Sequence, residues 1–178
     1  LRLSITTFWG MASLILPLLI FRASGSAATT AFYASVSLAF AAGGQLLTGL
    51  VRDRFGRKAP LLVSAIGIVV SALFLSVSTD SVPLLFVFGT ALTTTAWAVS
   101  TLVPVLIAEV ATAAEKNRLV GLGHFVWSAA MVTGSLLGGW LVQIDPAIPF
   151  TLGAGSAAIG TMCAWQLCRR LKQTMATG

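Results

Sequence analysis

Six long apolar stretches follow one another along this chain, and they constrain its fold more than any other feature. They cover residues 3–21, 27–51, 59–77, 82–108, 119–144 and 148–168, and none contains Asp, Glu, Lys or Arg. A helix needs about 20 apolar residues to cross the roughly 30 Å hydrocarbon core of a bilayer. Charged residues make up 9% of the 178 residues, against about 25% in soluble domains. We therefore expect an all-α membrane protein, a single bundle of six transmembrane helices over residues 1–178.

The Lys and Arg residues alternate between successive connections. Ten of the eleven fall before the first stretch, between stretches two and three, between four and five, or after the sixth, whereas Arg22 alone lies on the other side. Basic connections stay on the cytoplasmic side of a membrane. We expect both termini in the cytoplasm and the protein in the plasma (inner) membrane. The net charge of +6 then indicates topology, and we expect no nucleic-acid partner.

The reactive side chains within the stretches are few. Cys163 and Cys168 lie five residues apart in one stretch, and helical geometry points them to different sides. We expect neither a disulfide nor a metal site, and no cofactor.

The connection between stretches two and three carries a motif with a physical rationale. Gly49 allows another helix to approach closely, Gly56 permits a tight turn, and Asp53 sits among cations. Its carboxylate can pair with Arg57 or face the positive N-terminal end of a neighbouring helix. A pair made in one packing of two bundles and broken in another would act as a gate latch. The candidate latch residues are Gly49, Asp53, Arg54, Gly56, Arg57 and Lys58.

With these residues the chain resembles the major facilitator superfamily. That family has, between its second and third helices, the pattern Gly, three residues, Asp, a basic residue, any residue, Gly, any residue or Arg, and a basic residue. The resemblance implies one six-helix half of a fold that has two such halves, each built of two three-helix repeats around a solute cavity. It also implies a secondary transporter that moves a small solute by alternating access. We expect the N-terminal half, and because the chain begins at Leu1 rather than Met, a piece of a longer protein. The C-terminal half is the alternative.

Two further segments bear on the type of transporter. In stretch five, Gly134, Gly138 and Gly139 resemble the exporter motif of the family, although Ala130 and Ser135 stand where that motif has Gly and Pro. They also suit simple helix packing. Glu109 and Arg118 bracket the connection between stretches four and five, where the family often has an acid–base pair at the cytoplasmic gate. About twenty residues before Glu109 the family often has Arg, and here Gly89 occupies that position.

Polar side chains within the stretches are candidates for a solute cavity, because lipid penalises unpaired polar groups. The candidates are Tyr33, Gln45, His124 and Trp127. The other tryptophans within the stretches, including Trp9 and Trp97, suit interfacial or packing positions equally well.

Three functions follow from these features. The first is a transporter of a small solute with a leaning towards drug or metabolite efflux, whose partners are lipid and a second six-helix bundle, either the rest of the polypeptide or a homodimer mate. The second is a non-transporting membrane scaffold or a half-transporter subunit. The third is an intramembrane serine protease with a His124–Ser156 dyad, which the different depths of the two residues disfavour. We expect no enzymatic activity.

Overall fold

In the computed structural model, the described residues form six α-helices. The backbone is described for residues 2–56 and 58–174, and side chains for 3–56, 58–105, 111–112 and 114–166. The helices are α1 (Arg2–Ser24), α2 (Ala27–Phe55), α3 (Lys58–Ser76), α4 (Val82–Val110), α5 (Ala113–Ile144) and α6 (Ile148–Thr174). The described residues contain no strand. This confirms the expected all-α, six-helix architecture.

Local capping sets several of the helix ends among the described residues. Gly25, with φ +65°, ends α1, and Ser26 starts α2 by accepting a hydrogen bond from the Thr29 N–H at 3.2 Å. Before α5, the Glu115 carboxylate accepts from the Thr112 N–H at 3.2 Å and from its hydroxyl at 2.6 Å. This contact at the helix start explains why α5 begins six residues before its apolar stretch.

The helices pack in a pattern that repeats between the two halves of the chain. The most extensive contacts are α1 with α5, α3 with α6, α2 with α4, and α3 with α4, and α1 also packs on α6. In this comparison α1, α2 and α3 correspond to α4, α5 and α6. The contact of α1 with α5 then corresponds to that of α4 with α2, and the contact of α3 with α4 corresponds to that of α6 with α1. The contacts therefore follow two three-helix repeats, although the sequences of the two repeats are not visibly alike.

Glycines allow the closest of these helix crossings. A Cβ added at Gly134 on α5 would contact the Thr7 carbonyl oxygen and lie 3.1 Å from Gly10 Cα, and one at Gly138 would lie 2.9 Å from Met11 Cα. At this crossing the Ser135 hydroxyl donates to the Gly10 carbonyl at 3.2 Å. Close backbone approach is how helices associate in lipid, where apolarity alone does not drive them together.

Within the described residues, five helices are long and apolar enough to cross a membrane, namely α1 to α5. In the described part of α6, small and weakly polar residues such as Thr151, Gly153, Ser156 and Thr161 lower the mean hydropathy. Its inner face nevertheless packs along α1 and α3. The sixth helix thus belongs to the same bundle.

Candidate functional site

The motif between α2 and α3 forms a short exposed corner. Gly56 ends α2 with φ +74° and ψ 172°, and its N–H donates to the Arg52 carbonyl at 2.8 Å. This left-handed φ is the turn that only glycine adopts without strain. Lys58 is the first residue of α3. Arg57, the predicted local partner of Asp53, lies outside the described residues.

The Asp53 carboxylate forms one long and largely exposed ion pair among the described side chains. The closest cation among the described side chains is Arg52, whose Nε lies 3.9 Å from Asp53 Oδ1, and the Asp53 side chain is 74% exposed. Arg54 lies over the ring of its neighbour Phe55, 5.6 Å from the centroid. Exposed pairs of this kind contribute under about 1 kcal/mol. The carboxylate is therefore free to accept hydrogen bonds from a group outside the described bundle.

Gly49 lies on a face of α2 that no other described residue covers. A Cβ added there would meet no atom of the described chain within 4 Å. No helix of the described bundle approaches this glycine, since α2 packs mainly on α4 through another face. The close approach of another helix at Gly49 therefore stays a prediction, for a helix outside the described bundle.

The proposed second gate pair is described only in part. The Glu109 side chain lies outside the described side chains, and Arg118 is exposed in the second turn of α5. Between these two residues, Thr112 and Glu115 are joined by the hydrogen bonds that start α5. Glu115 is thus the acid whose contacts can be seen at this corner.

A small cavity of about 30 Å³ lies between α1, α4 and α5. Three tryptophans from three helices line it, Trp9, Trp97 and Trp127, together with the hydroxyl residues Thr6 and Ser100 and aliphatic side chains. The indole Nε1 of Trp97 is shielded from solvent and has no hydrogen-bond partner within the described part of the chain. An indole nitrogen is only a donor, so the Trp97 N–H is a shielded polar group without an acceptor among the described residues.

The four predicted cavity residues have different surroundings. Trp127 lines the cavity between α1, α4 and α5, whereas Gln45 is half-buried on α2 and His124 is exposed on α5. Tyr33 is 4% exposed and packs between α2 and α4. The sequence did not assign Trp9, Trp97, Thr6 and Ser100 to a cavity. The position of Trp97 could have indicated a buried site, because it lies near the middle of its stretch and far from either membrane interface, where tryptophans are usually enriched.

Tyr33 belongs to a buried group of hydroxyls between α2 and α4. It forms side-chain hydrogen bonds with Ser37 and Thr93, and Ser37 Oγ lies 3.0 Å from Thr90 Oγ1. A Cβ added at Gly89 would lie 2.6 Å from the Tyr33 hydroxyl oxygen. Gly89 occupies the position where the family often has Arg. The Tyr33 side chain fills the space next to Gly89, so an Arg at this position would have to displace it.

The remaining reactive side chains do not form a catalytic group in the described part of the chain. The Ser156 hydroxyl donates to the Gly153 carbonyl of its own helix at 2.9 Å, and His124 is exposed on a different helix. Cys163 is free and exposed. Among the described residues no cluster of His, Cys, Asp or Glu could hold a metal ion.

Comparison with known families agrees with this geometry. A match to the family described as Major Facilitator Superfamily covers residues 1–174. No curated protein sequence matches the chain significantly. Members of this family are generally membrane transporters that bind small solutes and lie in the lipid bilayer, and generally not enzymes. The apolar helices and the family together indicate an integral multi-pass membrane protein. The six-helix bundle, with its two three-helix repeats, has the architecture of one half of such a transporter, and the chain belongs to the major facilitator superfamily.

Proposed function

We propose that this chain is the N-terminal half of a secondary transporter that exports a small solute by alternating access. The observation that carries the proposal is the α2–α3 corner. In a chain of this family, the corner presents Asp53 at 74% exposure, next to a glycine turn that fixes the end of α2. A second bundle is the natural partner for a charge presented in this way.

The corner would act as a latch on the cytoplasmic side. In one packing of the two bundles, Asp53 accepts charge-assisted hydrogen bonds from a helix N-terminus or a cation of the second bundle. In the other packing the contact is broken and water solvates the carboxylate. Arg54, Arg57 and Lys58 contribute positive charge at the same rim, and Glu109 and Arg118 would form a second acid–base pair at the gate.

The exposed faces of α2 and α5 support the presence of a second bundle. Both helices are far less buried within this chain than α1. Gly49 and Gly43 on α2 have no neighbour within 4 Å of an added Cβ, so a helix from outside the described bundle could approach there. The partner is the remainder of a longer polypeptide or a second copy of the chain.

The direction of transport rests on the fifth helix. The glycines of α5 that resemble the exporter motif of the family, Gly134 and Gly138, pack directly against the backbone of α1. A rigid α1–α5 pair is the kind of unit that moves as one body when bundles rock. The leaning towards efflux depends on this segment and on the resemblance alone.

The latch is tested by replacing Asp53 with Asn. We expect Asp53→Asn to abolish export of an uncharged fluorescent dye from cells while leaving membrane insertion intact. The matched control is Asp80→Asn, an exposed Asp in the connection between α3 and α4. Near-normal export by the Asp53 variant would refute the latch.

A second readout does not depend on the solute. A cysteine is placed at Ser100, in a background with Cys163 and Cys168 replaced by Ser, and a membrane-impermeant maleimide is applied from the side that we propose to be cytoplasmic. Loss of a cytoplasmic latch should raise the labelling rate several-fold with Asp53→Asn and leave it unchanged with Asp80→Asn. Equal rates in both variants would instead favour a scaffold that does not change its packing.

A further inference from the structure

A stripe of exposed side chains runs along one face of α2, from the middle of the helix to the corner with α3. Its members Phe40, Leu47, Leu50 and Arg54 follow one another at intervals of seven, three and four residues, which places them on the same helix face. Phe40 and Leu47 are 62% exposed and Leu50 is 66% exposed, and Arg54 is exposed as well. This α2 stripe is about 21 Å long at 1.5 Å per residue, apolar along its length and basic at its end.

We propose that the α2 stripe binds one acidic phospholipid of the cytoplasmic leaflet, with the phosphate on Arg54 and an acyl chain along the apolar side chains. This site goes beyond the proposed transport function. It depends on the proposed orientation of the chain in the membrane, but none of its tests requires transport.

Arg54 offers hydrogen-bond donors at the level of the lipid headgroups. It lies three residues beyond the apolar stretch that ends at Val51, about 4–5 Å past the edge of the hydrocarbon. The flat face of its guanidinium lies over the Phe55 ring, 5.6 Å from the centroid, and this contact does not use the N–H groups. No carboxylate among the described side chains pairs with Arg54. A phosphate group can therefore accept two parallel hydrogen bonds from this guanidinium.

The charges around Arg54 favour an acidic lipid over a zwitterionic one. Arg52 on α2 and Lys58 at the start of α3 lie at the same corner, where Asp53 is the one described carboxylate. The amine of a zwitterionic headgroup would meet this excess of positive charge, whereas a headgroup with a net negative charge is attracted by it. Charge complementarity thus selects the headgroup.

The inner end of the α2 stripe borders an apolar groove between α2 and α4. Phe40, Val87, Ala91 and Thr94 are among the residues that line this groove, which has a volume of about 350 Å³. Ala91 and Thr94 lie about 14 and 18 Å from the start of α4, close to the midplane of a hydrocarbon core about 30 Å thick. The end of an acyl chain from either leaflet reaches this depth. An open apolar space there gains contacts when such a chain fills it.

The hydroxyls that line the groove are satisfied within the bundle. Thr94 and Thr95 donate to the carbonyls of Thr90 and Ala91, both at 2.8 Å, and the Thr90 hydroxyl lies 3.0 Å from that of Ser37. None of the lining residues is charged. The groove therefore favours an acyl chain over a polar ligand.

The α2 stripe and the proposed latch lie on different faces of α2. Asp53 directly precedes Arg54, and consecutive residues of an α-helix are about 100° apart around its axis. Gly49 lies one turn from Asp53 on that other face. A second bundle that meets Asp53 and Gly49 would leave the α2 stripe in contact with lipid.

The headgroup is tested by native mass spectrometry of the full chain in detergent, with phosphatidylglycerol and phosphatidylcholine that carry the same acyl chains. We expect phosphatidylglycerol to bind more tightly. Arg54→Gln should weaken its binding about 5-fold, the effect of one basic residue near a membrane surface. The matched control is Arg22→Gln, an exposed Arg in the last turn of α1, at the opposite end of the bundle. Equal binding of the two lipids, or equal effects of the two substitutions, would overturn the proposal.

The path of the acyl chain is tested with a fluorine label in nanodiscs of phosphatidylcholine. A cysteine replaces Phe40, with the native cysteines changed to Ser, and carries a trifluoromethyl tag. A small fraction of phosphatidylglycerol bears a nitroxide near the end of one chain, which broadens the fluorine signal of a nearby tag. The matched control is a tag at Ile159 on α6, which is also 62% exposed and lies about 16 Å from the start of its helix.

We expect several-fold more broadening at Phe40 than at Ile159, and Arg54→Gln should remove the difference. Ala91→Leu, which fills part of the groove, should lower the broadening at Phe40 alone. Equal broadening at the two positions would show ordinary contact with bulk lipid. Little broadening at Phe40 would show that a second bundle or a second copy of the chain covers the α2 stripe, and either result would overturn the proposal.

Discussion

The glycines of α5 allow a graded test of the bundle, since three of them lie at different distances from α1. A Cβ at Gly134 would contact the Thr7 carbonyl oxygen directly, and the three nearest atoms all belong to the backbone of α1. A Cβ at Gly139 would lie 3.5 Å from the Leu14 Cδ2 atom, an ordinary van der Waals distance. We expect Gly134→Ala to destabilise the protein and Gly139→Ala to be neutral or slightly stabilising.

The size of the difference follows from two opposing terms. Overpacking a close contact typically costs about 1–3 kcal/mol, and the upper part of that range applies at Gly134 because backbone atoms cannot rotate away. Alanine regains up to about 1 kcal/mol of helix propensity at either position. The net result is a loss of about 1–2 kcal/mol for Gly134→Ala and a gain of a few tenths to about 1 kcal/mol for Gly139→Ala.

Thermal unfolding in detergent, followed by circular dichroism, measures this difference. At about 2–4 °C per kcal/mol for a chain of this size, the two variants should differ in Tm by about 3–12 °C, with Gly134→Ala the lower. Gly138→Ala should fall on the destabilised side, because its Cβ would lie 2.9 Å from Met11 Cα. Equal Tm values for the three variants, or the lowest value for Gly139→Ala, would refute the packing of α5 on α1.

Three further predictions concern other parts of the bundle. Gly56→Ala should lower the free energy of unfolding by about 1–2 kcal/mol, because its φ of +74° strains an L-residue, and denaturation by SDS in mixed micelles would show it; an unchanged midpoint would argue against the turn. Tyr33→Phe should cost about 1 kcal/mol in the same titration, since it removes a buried, hydrogen-bonded hydroxyl, and a stabilised variant would contradict the hydroxyl group between α2 and α4. On α6, Gly153→Ala should lower the Tm, because the added Cβ would contact the Phe8 ring of α1. Gly155→Ala should leave the Tm unchanged, because a Cβ there meets nothing within 4 Å. The reverse order of the two Tm values would show that α6 turns a different face towards α1.

The sequence was sufficient for the number of helices and for several of their starts. The apolar stretches begin at Ala27, Val82 and Ile148, and α2, α4 and α6 begin at the same residues. Length and apolarity predict these elements because the hydrocarbon thickness dictates both. Length and apolarity do not predict the start of α5. The contacts between Thr112 and Glu115 start this helix within the polar connection, because a helix can extend beyond the hydrocarbon region of the membrane.

The faces of the helices could not be predicted in the same way. Helices that are apolar on all sides give no periodic signal of which side turns inward. For this reason the sequence did not predict that Trp9 and Trp97 line one cavity, or that Gly49 lies on a face of α2 that the described bundle leaves uncovered. Small residues did predict packing where their partner lies within the chain, as at Gly134. The same type of residue at Gly49 predicts a contact whose partner is not part of the described bundle.

The exposure of Asp53 separates its proposed role in the latch from any role in folding. Its pair with Arg52, at 3.9 Å and largely exposed, contributes under about 1 kcal/mol, so Asp53→Asn should leave the Tm of the protein within about 2–4 °C of its original value. A loss of export with an unchanged Tm would therefore assign the effect to a contact made in only one packing of two bundles. A loss of export together with a large fall in Tm would show that Asp53 holds the fold, and the latch would then have no separate support.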